Sequence, residues 1–114
     1  MDKRAHIAIL FDFYGVLLTA KQQEALRLFY EEDFSLAEIG EFLHISRQAV
    51  HDLIKRGEAL LEKYESQLAL ADKYYQRLQQ EADLQRLAKQ LEKAPTVQLW
   101  QQFWQSWQVM KDGD

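Results

Sequence analysis

The sequence has 114 residues, 47% of them hydrophobic and 28% charged, with a formal net charge of -4 and no cysteine. This composition excludes a disordered chain, disulfide bonds and thiolate metal sites, and the acidic balance argues against strong nonspecific binding to nucleic acid. A chain of this length forms one domain, or one small domain with an appendage.

The first predicted element is a helix from Ile7, whose wide apolar face comprises Leu10, Phe11, Tyr14, Leu17 and Leu18. This stretch contains Asp12 and lacks the small-residue cleavage site of a signal peptide. It is also too short and too interrupted to span a bilayer. We therefore expect a cytoplasmic protein that does not insert into membranes.

A second helix is predicted after Thr19, which forms a capping box with Gln22 three residues on. Its apolar stripe consists of Leu26, Phe29 and Tyr30. The segment "EEDF" then breaks the helix.

A helix-turn-helix is predicted next. Ser35 and Glu38 form a second capping box, which opens a short helix with an apolar stripe of Leu36, Ile39 and Phe42. The residues "HIS" make a tight connection, and Ser46 can cap the helix that follows. Two helices joined by so few residues form a helix-turn-helix. Since no segment alternates as a strand would, the fold class is expected to be all-α.

Three positions match the packing needs of a standard twenty-residue motif counted from Leu36. Gly40 lies where the helices cross, and Val50 and Leu53 hold the second helix against the first. The turn position, usually a glycine because it is left-handed, is His44. A chance packing of three helices is the alternative.

The remaining chain predicts further helices. The helix after Ser46 continues through Leu61 and Tyr64, with Gly57 allowing close packing. A long helix from Leu68 stops at Pro95, and Thr96 can cap a last helix. We expect a helix-turn-helix domain over residues 1–66 and a helical extension over residues 67–114.

The start of the helix after Ser46 gathers positive charge and supplies the candidate nucleic-acid-binding residues: Ser46, Arg47, Gln48, His51, Asp52, Lys55 and Arg56. In a major groove, Arg47 can pair with guanine and Gln48 with adenine. Lys55 and Arg56 suit phosphates, whereas Asp52 would repel phosphate or accept from a cytosine amino group. The alternative is a solvated helix face.

This arrangement resembles the DNA-binding fourth region of bacterial sigma factors. The similar stretch is "LLTAKQQEALRLFYEEDFSLAEIGEFLHISRQAVHDLIKRGEALL", from Leu17 to Leu61. The resemblance implies that Arg47, Gln48, His51 and Asp52 contact a promoter.

The first 70 residues or so also resemble the YlxM-type family of small bacterial proteins, through "LFDFYGVLLTAKQQ", "EEDFSLAEI", "ISRQAVHDLIKR" and "YESQL". The resemblance implies a helix-turn-helix protein. It also implies a role in the signal recognition particle pathway, because the family's genes lie near those of the particle's GTPase and its receptor.

Catalytic motifs are absent from the sequence. His6, His44 and His51 are the only histidines, and none has the spacing of a metal-binding motif. We expect no enzymatic activity, no cofactor or metal, and no small-molecule substrate.

The last predicted helix carries Trp100, Trp104 and Trp107 on one face, broadened by Phe103. This stripe is either core or a surface for a partner. We expect it to support a homodimer; membrane-surface binding is disfavoured because its polar face is glutamine rather than lysine and arginine.

Two functions remain open at this stage. One is a regulator that reads DNA with Arg47, Gln48 and His51. The other is an accessory factor of the signal recognition particle, in which the same helix and the tryptophan stripe bind structured RNA or protein. The acidic balance favours the second, and the intact motif favours the first.

Overall fold

A computed structural model describes residues 2–113, and in this part of the chain every regular element is helical. A short 3-10 turn, Gly15–Leu17, follows the first helix. The α-helices are α1 Lys3–Tyr14, α2 Ala20–Tyr30, α3 Leu36–Leu43, α4 Arg47–Leu68, α5 Leu70–Lys93 and α6 Val97–Asp112. The expected all-α class is confirmed.

Side-chain caps start most of these helices. Both predicted capping boxes are present: Thr19 Oγ1 accepts from the Gln22 amide at 3.2 Å, and Ser35 Oγ accepts from the Glu38 amide at 3.1 Å. Thr96 caps α6 by accepting from the Leu99 amide. These local bonds satisfy amides that have no partner within the helix.

Helix α1 begins earlier and ends earlier than the sequence predicted. Asp2 accepts from the Ala5 amide at 2.8 Å, so the helix starts at Lys3 rather than near Ile7. After Tyr14 the 3-10 turn changes the direction of the side chains. Leu18 is therefore buried, while Leu17, predicted on the apolar face, is 53% exposed.

The chain divides into two compact units, Met1–Ala71 and Asp72–Asp114. In the first unit, α4 is the central helix and packs against α1, α2 and α3. Its core consists mainly of Ile7, Leu10, Tyr14, Ala25, Leu26, Leu28, Ile39, Val50, Ile54 and Leu61. Gly57 allows α2 to approach closely, since a Cβ there would lie 2.7 Å from Leu26 Cδ1.

The end of α4 is fixed by a buried tyrosine. Ala69 has a left-handed backbone, with a φ of 53°, and separates α4 from α5. Tyr14 donates its hydroxyl proton to Glu65 Oε1 at 2.6 Å and accepts from the Leu70 amide at 3.0 Å. Burial and the bond to Glu65 raise the pKa of Tyr14. The sequence predicted a new helix from Leu68, but neither glycine nor proline marks Ala69 as the left-handed residue between the two helices.

The second unit buries far less. Helix α5 contributes Leu84 and Leu87 as buried side chains, and the described residues of α6 include none. None of the helices in residues 2–113 combines the length and apolar character that crossing a membrane requires.

Candidate nucleic-acid interface

The turn between α3 and α4 keeps the left-handed geometry of the motif without a glycine. His44 has φ 59° and ψ 42°, and the amides of His44 and Ile45 both donate to the carbonyl oxygen of Gly40. Ile45 packs onto the core, which anchors the turn. A left-handed residue at this position ends a helix and satisfies its last carbonyl groups.

The packing positions of the motif are filled as predicted. A Cβ on Gly40 would lie 2.8 Å from the backbone oxygen of Ile45, so no larger residue fits without moving the turn. Val50 is fully buried, and Leu53 is partly buried against the core. The two helices and their turn therefore form a packed helix-turn-helix.

Ser46 starts α4. Its Oγ accepts from the Ala49 amide at 3.0 Å, as the sequence predicted. Residue 46 is exposed, and so are the other six candidate contact residues: Arg47, Gln48, His51, Asp52, Lys55 and Arg56. The structure thus brings all seven to the surface over the first turns of α4.

Asp52 organises the middle of this surface. Gln48 donates from Nε2 to Asp52 Oδ1 at 3.2 Å, and His51 Nδ1 lies 3.8 Å from the same oxygen. A partner must therefore compete with Asp52 for the Gln48 amide, and the carboxylate offsets part of the nearby positive charge.

The arginines of this surface have no such ties. Within residues 2–113, the side chains of Arg47 and Arg56 form neither a hydrogen bond nor an ion pair. An exposed guanidinium with five donors suits bidentate contact with a guanine edge or a phosphate. Arg47, in the first turn of α4, lies nearest the end that would enter a groove.

Lys55 lies in a different environment, one that sequence reasoning missed. Its Nζ is 3.7 Å from Glu58 Oε2, and Lys3 Nζ from α1 is 3.4 Å from the same oxygen. The Tyr30 hydroxyl donates to Glu58 Oε1. Burial, and then this bond, raise the pKa of Tyr30. The three-residue spacing of Lys55 and Glu58 was visible in the sequence, but the contacts of Glu58 with α1 and α2 were not.

An acidic residue of α3 borders the same surface. Glu41 is exposed and lies beside the turn near Arg47, whereas Glu38 lies in the first turn of α3. Hydrogen bonds from the backbone and the side chain of Ser35 lower the pKa of Glu38, so this carboxylate stays charged at neutral pH. Glu41 therefore offsets part of the positive charge at the start of α4.

The tryptophan stripe is on the surface of the second unit. Trp100, Trp104 and Trp107 are 58%, 53% and 40% exposed. Phe103 is half-buried and stacks on Trp100, with ring centroids 5.9 Å apart. Gln101 and Gln105 border a groove of about 630 Å³ beside Trp100 and Trp104. The stripe is therefore not core in this structure.

The histidines do not converge. His6 Nε2 lies 2.7 Å from Glu62 Oε1 on the outside of α1 and α4, while His44 and His51 belong to the turn and to α4. Among residues 2–113 no group of three or more histidine, aspartate or glutamate side chains could hold a metal ion.

The chain is similar to a family described as "Putative helix-turn-helix protein, YlxM / p13 like" (UPF0122), which matches residues 1–101. It is 53% identical over 78 residues to a UPF0122 protein of Oceanobacillus iheyensis, covering 68% of this chain and 74% of the relative. It is 48% identical over 88 residues to UPF0122 protein YlxM of Bacillus subtilis, covering 77% and 80%. A UPF0122 protein of Halalkalibacterium halodurans is 47% identical over 96 residues, covering 84% and 85%.

The family match contains the whole helix-turn-helix and ends inside α6. The candidate contact residues of α4 lie within it. Trp104 and Trp107 lie beyond it. The two surfaces described above therefore differ in how far the family likeness extends over them.

Proposed function

Because the chain belongs to the UPF0122 family of YlxM- and p13-like helix-turn-helix proteins, as its motifs predicted, we propose that it is a cytoplasmic, non-enzymatic regulator that binds nucleic acid. The site of binding is the N-terminal half of α4. Double-stranded DNA is the first candidate target, because α4 has the position of a recognition helix in the motif.

The observation that carries this proposal is the exposure of Arg47, Gln48 and His51 at the start of a helix that Ser46 caps. Arg47 is available for a guanine, and Gln48 can pair with an adenine once it leaves Asp52. The buried Val50 and the close fit at Gly40 fix the orientation of α4 beneath these side chains.

The charges predict affinity that is modest and weakly dependent on salt. Arg47, Lys55 and Arg56 are the cations on this surface, and Lys55 already shares Glu58 with Lys3. Neutralising two or three phosphates gives a slope of roughly -2 to -3 in the logarithm of affinity against the logarithm of salt concentration. Contacts with base edges would then supply most of the discrimination between a target sequence and other sequences.

A second candidate follows from Asp52. A carboxylate in the middle of the surface, bonded to Gln48, disfavours a continuous phosphate backbone but suits a basic protein surface or an exposed cytosine amino group. The YlxM-type resemblance connects such a partner to the signal recognition particle. In this version α4 binds the particle's structured RNA or its GTPase.

Three variants of the full chain distinguish these targets when each is titrated against duplex DNA, the particle's RNA and its GTPase. Arg47→Ala should weaken binding to the true partner by about 1–3 kcal/mol, since it removes a base or charge contact. Lys55→Ala should weaken binding to all nucleic-acid sequences alike. It should also reduce the slope of the logarithm of affinity against the logarithm of salt concentration by about one unit. Asp52→Asn should strengthen binding to DNA and weaken binding to a basic protein.

Arg86→Ala is the matched control, because Arg86 is an exposed arginine on α5. It should leave every affinity unchanged. If Arg47→Ala also leaves all three affinities unchanged, the surface of α4 is merely solvated and the proposed function is wrong.

We further propose that the tryptophan stripe joins two copies of the chain in a homodimer. No charged residue occurs from Val97 to Met110, so two copies can meet without burying charge. The three half-exposed tryptophans present on the order of 400 Å². A standard interface buries about 800 Å² per partner, so the stripe would form about half of one. Paired half-sites on DNA would suit such symmetry.

A further inference from the structure

A groove of about 350 Å³ lies beside the recognition helix and is lined by residues of α1, α2, α3 and α4. Phe29, Leu36 and Ile54 give it an apolar wall, and Lys3, His51 and Lys55 lie around its opening. Glu58 lies at the bottom of the groove, and its side chain is only 10% exposed. Its size is at the lower end of the range for small-molecule sites.

The opening of this groove carries surplus positive charge. The Lys3 and Lys55 ammonium groups lie 3.4 and 3.7 Å from the same oxygen of Glu58, and their side chains are 65% and 51% exposed. One carboxylate neutralises one of the two cations. Arg4, which also borders the groove, is committed elsewhere, since it pairs with Asp33.

The apolar wall lies within reach of these ammonium groups, so the groove combines two kinds of contact. Arg4 stacks over the rings of Phe29 and Tyr30, 5.5 and 5.3 Å from their centroids, and holds this wall in place. It also donates to the carbonyl oxygen of Phe29 at 2.7 Å. A ligand with an anionic end and a planar or apolar body would meet both kinds of contact.

We propose that this groove binds a small organic phosphate, whose phosphate group bridges Lys3 and Lys55 while its planar body lies against Phe29, Leu36 and Ile54. A phosphate monoester has the charge and the acceptor oxygens to bridge two ammonium groups. The apolar wall supplies the added affinity that inorganic phosphate would lack.

Binding in the groove would act on the recognition helix. His51 and Lys55 belong both to the groove and to the proposed nucleic-acid surface. A bound phosphate would neutralise Lys55 and cover part of His51, so it would compete with a nucleic-acid phosphate. The groove is therefore an effector site that lowers nucleic-acid affinity; this consequence, unlike the binding itself, rests on the proposed function.

The binding is tested by titrating the ¹⁵N-labelled full chain with phenyl phosphate and, separately, with inorganic phosphate. Phenyl phosphate should shift the amide signals around Lys3, Leu36 and residues 51–58, with a Kd of about 1 mM, as expected for so small a ligand. Inorganic phosphate should bind at least tenfold more weakly. Phenol, which lacks the anion, should not bind.

Lys3→Ala is the informative variant, because Lys3 lies on α1 and outside the proposed nucleic-acid surface. It should weaken the binding of phenyl phosphate roughly tenfold, because one charged hydrogen bond is lost. Lys63→Ala, an exposed lysine of α4 away from the groove, should change nothing. Equal affinity in wild type and Lys3→Ala, no saturable shift, or equal binding of inorganic phosphate would each overturn the proposal.

Glu58→Gln gives a second test in the opposite direction. Glutamine can still accept the Tyr30 hydroxyl, but it no longer neutralises the two lysines, so phenyl phosphate should bind more tightly. If the phosphate binds while nucleic acid does not, the groove stands and the proposed function fails. If nucleic acid binds through Arg47 while the phosphate does not, the groove proposal alone fails.

Discussion

The two units of this chain bury their apolar residues very differently. In Met1–Ala71, four helices meet around side chains such as Ile39, Val50 and Leu61, all fully buried. In Asp72–Asp114, three tryptophans lie 40–58% exposed on α6. The first unit has a continuous buried core, with Val16 and Phe42 exposed at its surface, whereas the described residues of α6 include no buried side chain. Tertiary packing therefore positions the candidate contacts of α4 more firmly than the tryptophans of α6.

The largest expected effect tests whether the first unit is the better packed. Leu61→Ala should lower the free energy of unfolding by about 2–5 kcal/mol, because it leaves a cavity in a fully buried site. The matched change Leu78→Ala, at a 42% exposed position of α5, should cost less than about 1 kcal/mol. Chemical denaturation at low protein concentration measures both. Equal losses of stability in the two variants would show that the two units do not differ in how well they are packed.

The next prediction concerns the second unit. The wild-type chain at tens of micromolar should scatter light as a dimer. Trp104→Ala should raise the dimer dissociation constant roughly 30-fold, a loss of about 2 kcal/mol for a central aromatic contact. Gln98→Ala, an exposed position elsewhere on α6, is the control and should leave the dimer intact. A monomeric wild type would contradict the proposal.

Alkaline pH should lower the stability of the first unit in particular. The folded-state pKa values of Tyr14 and Tyr30 are raised above the ordinary value of 10, so the folded state keeps protons that the unfolded state loses. Stability is therefore full below about pH 10 and falls above it, by at most about 1.4 kcal/mol per pH unit for each tyrosine.

Tyr30→Phe should make this alkaline decline shallower, because one of the two titrating groups is removed while Tyr14 remains. Tyr75→Phe, at an exposed position of α5, is the matched control and should leave the slope unchanged. Thermal melts between pH 8 and pH 11 measure both variants. If the stability of Tyr30→Phe declines as steeply as that of wild type, burial does not raise the pKa of Tyr30 as described.

The smallest expected effect is a gain at the turn. His44 adopts a left-handed backbone that glycine adopts more readily, so His44→Gly should stabilise the chain by about 0.5–1 kcal/mol. Ala59→Gly, at an exposed position inside α4, should instead destabilise it by about 1 kcal/mol. A loss of stability in His44→Gly would show that the imidazole has a contact role in the turn.

Local signals made much of this fold predictable. The capping boxes at Thr19 and Ser35, the cap at Ser46 and the glycine at Gly40 each depend on residues a few positions apart, and all are present. Leu17 was placed wrongly because a 3-10 turn after Tyr14 ends the helical phase.

Contacts between distant residues were not predictable. The left-handed Ala69 depends on Tyr14 from α1, and the lysine pair at Glu58 depends on the packing of α1 against α4. The exposure of the candidate contacts on α4 was predicted from helical spacing. The pairs Gln48–Asp52 and Lys55–Glu58 have local helical spacing, whereas the contacts of Glu58 with α1 and α2 required the fold.

Binding of nucleic acid at the start of α4 is tested most directly by the amide spectrum of the ¹⁵N-labelled full chain during titration with a short duplex DNA, repeated with the particle's RNA. We expect the shifts to concentrate on residues 44–56 and to need more nucleic acid in Arg47→Ala, while the signals of α6 stay in place. Shifts spread over α6, or shifts at α4 that persist unchanged in Arg47→Ala, would contradict it.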